Sequence, residues 1–181
     1  MNKKYEFTGE ILNCLGRILH RIRALRDFGN VKAGDIGGWI EKEENLSHEG
    51  NCWVYDEAEV YGAAVIEDEA VIRDKAVVGG RAVVGGRAVV EGRAVVGGRA
   101  VVGGKAVVIR TEDYITIGSI GSRNDTTTAF RTVDGVRIRC GCFYGSIAEF
   151  EAKVKKTHGD NQYAKEYLAL AELLKIRFGE K

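Results

Sequence analysis

The chain has 181 residues and a mass of 19.8 kDa, with 24 glycines, no proline, and 27 basic against 26 acidic side chains for a net charge of +1. That length makes room for one or two small cores and excludes a large multidomain enzyme. A balance this close to neutral excludes a chain-wide basic footprint for a nucleic-acid polymer, and it excludes an acidic tail.

In chain order, the opening MNKKYEFTGE carries basic residues with no apolar core behind them, so it does not read as a secretory leader. No apolar run approaches the roughly 20 residues needed to span a bilayer, and no membrane partner is expected. Residues 1–51 are predicted to form a β cap. Tyr5-Glu6-Phe7 alternates as an edge strand does, and Arg17 to Phe28 is short, basic and β-compatible. Asn30 to Ile40 adds turn chemistry and a bulky plug, with Trp39 and later Trp53 expected as packing aromatics. Ile40 and Leu46 lie six apart, which predicts an imperfect start to the repeat that follows.

From residue 52 to 110 one period dominates. A small residue recurs every six positions, as Cys52, Ala58, Ala64, Ala70, Ala76, Ala82, Ala88, Ala94, Ala100 and Ala106, and an aliphatic follows two places after each, from Val54 to Val108. Six is no multiple of the helical 3.6, whereas a gap of two puts both side chains on one side of a short strand. Glycine pairs such as Gly79-Gly80 supply corners with positive φ, and Val-Val with Gly-Gly is poor helix material. Ten hexads therefore predict a solenoid of short strands and tight turns. The motif Val78-Gly79-Gly80-Arg81-Ala82-Val83 resembles the hexapeptide repeat of left-handed parallel β-helices. The resemblance implies three hexads per coil, hence about three coils, and it alone supplies the left hand, since ordinary crossovers are right-handed. It says little about function, because this prism serves acyltransferases, carbonic anhydrases and structural proteins.

With 18 residues per coil, positions 18 apart stack about 4.8 Å apart. That register stacks Lys75 with Arg93, Arg81 with Arg99 and Arg87 with Lys105, and sets Arg73 under Glu91. Residues 52–75 carry seven acids against two bases and residues 76–110 six bases against one acid. These charges read as solvated corners; the stacked bases become useful only against a bound anion or an acidic partner. The first valine of each Ala-Val-Val triplet, from Val65 to Val107, faces outward, and three valine-coated faces predict a homotrimer.

Residues 111–181 read as a β-β-β-α-α module, making the whole chain mainly β. Strands are expected at Tyr114–Ile117, Ala129–Thr132 and Val136–Cys140, with Asp134-Gly135 as a hairpin turn. Ser146-Ile147-Ala148-Glu149 has the capping-box form, His158-Gly159 ends that helix, and Asp160 or Asn161 caps a second helix over Tyr163–Phe178. The segments around Ala24–Phe28, Ala33–Trp39 and Gly50–Tyr55 resemble uncharacterised bacterial and phage hexapeptide-repeat proteins, and those around Gly121–Thr127 and Cys140–Phe143 resemble a carboxy-terminal module of phage and prophage proteins.

The densest polar stretch, Gly118 to Thr128, combines close-approach glycines with Ser122, Arg123, Asn124, Thr126, Thr127 and Thr128, which suits a phosphate or ribose-phosphate. It lacks the Gly-Lys-Ser/Thr ending of a Walker loop, and a polar connection with Asx turns is the alternative. Phe143 and Tyr144, flanked by Gly141 and Gly145, are placed to stack on a base, and His158 is a helix-end residue that contacts ligand in the same reading. Cys140 and Cys142 are too close for ordinary zinc pairing and read, with Cys14 and Cys52, as reduced thiols of a cytoplasmic protein. His20, His48 and His158 make no metal spacing, so neither metal nor cofactor is expected. The resemblance to hexapeptide acyltransferases, which use a histidine on the prism as general base, makes His48 the candidate base of that reading. The projecting loop and cleft of those enzymes are not evident in the uninterrupted repeat from Cys52 to Val108, which counts against it. The preferred expectation is a phage-type oligomeric binding protein of the host bacterial cytoplasm, a binder more than an enzyme, that sequesters a small anionic ligand such as a cyclic signalling nucleotide of host defence. A structural interaction module and a hexapeptide-type acyltransferase remain as alternatives.

Overall fold

The structure, a computed structural model, describes residues 3–180, and the chain divides into two compact units, 1–111 and 112–181. The first is a left-handed parallel β-helix with an amino-terminal β cap. Its cap holds β1 (Tyr5–Cys14), β2 (Arg17–Ala24) and β3 (Ile36–Ile40). Ten two-residue strands follow as β4 to β13, at Trp53–Val54, Glu59–Val60, Val65–Ile66, Val71–Ile72, Val77–Val78, Val83–Val84, Val89–Val90, Val95–Val96, Val101–Val102 and Val107–Val108.

These strands stack into three parallel sheets. One runs β4-β7-β10-β13, the second β6-β9-β12, and the third β5-β8-β11, which β3, β2 and β1 extend. Partners within the hexads are 18 residues apart, Val71 with Val89 and Val78 with Val96 among them. Ile40 instead pairs with Val60 and Leu46 bridges to Ile66, both offset by 20. The winding thus begins in the cap with a longer coil, the imperfect start that the Ile40–Leu46 spacing foreshadowed, and reaches about four turns. Every small residue from Ala58 to Ala106 and every inward aliphatic from Val54 to Val108 is essentially inaccessible to solvent. Each buried aliphatic contributes about 1.5–3 kcal/mol. The outward valines are half-buried, with Val95 the most exposed at 45%.

The corners explain the glycines and, less obviously, the aspartates. Gly80 has φ +69, and a Cβ there would lie 2.8 Å from the carbonyl oxygen of Gly98 in the next coil. At the equivalent corners Asp56, Asp68 and Asp74 also hold positive φ. Each offsets that strain through its carboxylate: Asp68 accepts from the Gly86 N–H at 2.8 Å and Asp74 from that of Gly92 at 2.8 Å. Arg73 pairs with Glu91 as the 18-residue register requires, and Arg87 pairs with Glu69 at 3.1 Å. Part of the charge pattern is therefore structural.

The cap satisfies carbonyls that the first coil would leave open. Lys4 is fully buried, and its ammonium donates to the Cys52 carbonyl at 2.9 Å and contacts Cys52 Sγ at 3.2 Å. Tyr5 donates to the Glu43 and Leu46 carbonyls. Trp53 packs edge-on against Tyr5 and Phe28, and Trp39 lies under the Arg21 guanidinium while donating to Glu57 at 3.0 Å.

The second unit is an antiparallel sheet, β14 (Tyr114–Ile120), β15 (Asp125–Thr132), β16 (Gly135–Cys140) and β17 (Phe143–Gly145), with α1 (Ile147–His158) and α2 (Gln162–Phe178). The short β17 extends the expected three strands through a two-residue turn, Gly141-Cys142. Ile138, Phe150, Val154, Tyr167, Leu170 and Leu174 form its core. The capping box is in place, with the Glu149 carboxylate accepting from the Ser146 N–H at 2.7 Å, and Asn161 caps α2 by accepting from the Ala164 N–H at 3.0 Å. Among the described residues no helix is long and apolar enough to cross a membrane.

Candidate functional site

The second unit contains a cavity of about 210 Å³ between the Gly121–Asn124 turn, the Gly141-Cys142 turn and the two helices. Two glycines at positive φ bring its walls together. Gly121 has φ +68 and rests on the Tyr167 ring, where a Cβ would fall 1.9 Å from Cζ; its N–H donates to Glu166 Oε2 at 2.9 Å, tying the turn to α2. Gly141 has φ +58 and lies under the Arg123 side chain, where a Cβ would fall 2.8 Å from Nε.

The floor is aromatic. Phe143 and Phe150 have ring centroids 5.4 Å apart, and Phe150 meets Tyr167 edge-on at 5.6 Å. Tyr167 is almost fully buried, and that burial pushes its pKa above the usual phenol range. The mouth carries Arg123, Lys153 and His158, with Thr157 between them, and the His158 ring leans on Tyr167 at 5.7 Å. No Asp or Glu lines the cavity. An apolar floor under a cationic mouth favours a small organic anion with a flat or aliphatic body.

Of the residues predicted to bind ligand, Ser122, Arg123, Phe143 and His158 meet in this cavity. The others do not line it. Asn124 closes the turn at positive φ, donating its N–H to the Gly121 carbonyl. Thr126 is half-buried on β15, while Thr127 and Thr128 are buried within the sheet, Thr128 sharing a hydroxyl contact of 3.1 Å with Thr116. Tyr144 follows Phe143 in a strand and so points to the opposite face, beside Phe130. Lys153, Thr157, Tyr167, Cys140 and Cys142 were not predicted to line a site. Phe150, Val154 and His158 recur at helical spacing on α1, and that stripe was the available signal for Lys153 and Thr157. Cys140 is half-buried and Cys142 exposed.

His48 occupies a separate depression in the first unit beside Glu43, Ser47 and Val65. Its Nδ1 accepts the Lys4 backbone N–H at 3.2 Å, its ring stacks on Tyr5 at 4.4 Å, and burial lowers its pKa. A neutral ring with Nδ1 engaged carries its proton on Nε2, which is 3.9 Å from Glu43 Oε2. As placed, His48 has no free lone pair for proton abstraction. Among the described residues no group of three or more His, Cys, Asp or Glu is arranged to hold a metal ion.

No family model matches the chain. A 43-residue stretch, 24% of the chain, is 49% identical to a protein of Escherichia coli (strain K12) described as the uncharacterized acetyltransferase YdcK. The chain covers 13% of that protein's length. This likeness corrects the expectation of a binder more than an enzyme: the sequence relationship found is with a protein described as an uncharacterized acetyltransferase.

Proposed function

We propose that the chain is a hexapeptide-repeat protein of the acyltransferase type, its β-helix serving as the scaffold of an acyl-transfer site in a homotrimer. The likeness to the acetyltransferase YdcK carries this reading. The half-buried valine faces of β6 to β13 support association, because exposed β-branched walls favour burial against a second copy. The test is release of free thiol from acetyl-coenzyme A by the full chain, with amine and hydroxyl acceptors offered in turn and the oligomer followed by light scattering. Acceptor-dependent thiol release from a trimer supports the reading. A monomer that leaves the thioester intact with every acceptor overturns it.

A second reading is favoured by the meeting of Ser122, Arg123, Phe143 and His158 in one cationic cavity: that it holds a small nucleotide, as a phage protein intercepting a host-defence signal would. At about 210 Å³ the cavity is smaller than the ~300 Å³ at which typical ligand sites begin. It thus takes one base or one phosphate with its ribose, leaving the rest of a cyclic dinucleotide outside. Calorimetry with mononucleotides and cyclic nucleotides tests this, with Arg123→Ala expected to abolish binding and unchanged affinity rejecting the cavity as the site.

A further inference from the structure

We propose that Cys142 is a thiol–disulfide exchange site selective for small anionic disulfides, with Arg123 and Lys153 at the cavity mouth supplying the selectivity. The four cysteines occupy contrasting surroundings. Cys52 is fully buried at the small-residue position of the first hexad. Cys14 is half-buried near the β1–β2 turn, and the Glu59 carboxylate pushes its pKa up. Cys140 is half-buried and lines the cavity with Tyr167. Cys142 alone is exposed, and it opens onto a cavity lined by Arg123 and Lys153, with no carboxylate among the lining groups.

The thiolate is the nucleophile of disulfide exchange, and an exposed thiol is open to the reagent. The cations lining the cavity raise the local concentration of an anionic reagent there. The turn is built for this proximity: the Arg123 side chain crosses Gly141, the residue before Cys142, where no Cβ fits. In the exchange, Cys142 gives its proton to solvent and its thiolate attacks one sulfur of the disulfide. A new S–S bond forms to Cys142, the original S–S bond breaks, and the second sulfur leaves as a thiolate that takes up a proton. The proposal rests on the cavity and is independent of the acyl-transfer reading.

The experiment treats the reduced full chain with glutathione disulfide, an anionic reagent, and in parallel with cystamine, a cationic one. Adducts are followed by intact mass and located by peptide mapping. Cys142 is expected to take the anionic adduct on the order of tenfold faster than Cys14, and faster than it takes the cationic one. Cys142→Ser removes the fast phase. Lys153→Gln, which alters an exposed side chain outside the core, slows the anionic reagent several-fold and spares the cationic one; Arg123→Gln adds to the effect. Equal rates for the two reagents, a fast phase mapping to Cys14 or Cys140, or an unaltered rate in Lys153→Gln each overturn the proposal.

Discussion

Replacing Gly121 with alanine is expected to unfold the second unit selectively. The added Cβ would sit 1.9 Å from Tyr167 Cζ and 2.2 Å from its hydroxyl oxygen, and the backbone at φ +68 disfavours any Cβ. Left-handed backbone costs alanine about 1–2 kcal/mol. Forcing the buried Tyr167 ring aside costs a further ~1–3 kcal/mol, as overpacking does. The ring cannot move cheaply, since it is buried in the core of the unit and meets Phe150 edge-on at 5.6 Å. A total of ~2–5 kcal/mol lowers the thermal midpoint of a small unit by roughly 10 °C or more. Two optical signals separate the units: both tryptophans, Trp39 and Trp53, lie in the first, and both described α-helices lie in the second. Helical circular dichroism of Gly121→Ala should therefore melt early while tryptophan fluorescence keeps its wild-type transition. Gly97→Ala is the control, because its Cβ meets nothing within 4 Å and its φ is not positive. An unshifted helical transition in Gly121→Ala would refute the packing argument.

Further predictions concern the coils and the helix cap. Gly80→Ala combines positive φ with a 2.8 Å approach to the Gly98 carbonyl, and is expected to cost the first unit at least about 2 kcal/mol by tryptophan-monitored denaturation. Asp68→Ala loses both the bond to the Gly86 N–H and a residue tolerant of its left-handed corner, so it should destabilise by about 1–3 kcal/mol, with Asp68→Gly recovering the conformational part. Ile72→Ala in the sealed interior should cost ~2–5 kcal/mol. The Ser146 N–H and hydroxyl hold the Glu149 carboxyl below its ordinary value of 4.5. Its contribution to α1 is therefore complete above that value and lost as pH falls through the depressed one, and Glu149→Gln should flatten this acid limb in the helical signal.

The hexad period made most of the first unit legible, because a strict repeat fixes the register: the Arg73–Glu91 pair and the inward Ala and Val columns are read from spacing alone. The cap was less legible. Leu46 and Val54 are eight apart rather than six, so the 20-residue coil breaks the period that a sequence pattern detects. The aspartate corners were hidden because αL geometry is invisible in a charge count, and Asp68 looks like any solvated acid until its bond to the Gly86 N–H is seen. In the second unit the Ser146 capping box is local and was readable. The cavity is not local: it joins Ser122 and Arg123 to Lys153 and Tyr167 across intervening strands and helices. The three threonines drew attention as a polar run, but a strand turns neighbours to opposite faces, and the sheet buries Thr127 and Thr128 away from the cavity.

The acyl-transfer account is tested most directly by titrating acetyl-coenzyme A into the full chain by isothermal calorimetry. Saturable binding at one equivalent per protomer, with the protein eluting as a trimer, is the predicted result. Absence of heat at thioester concentrations well above those typical of enzyme substrates, from a correctly folded sample, would contradict it.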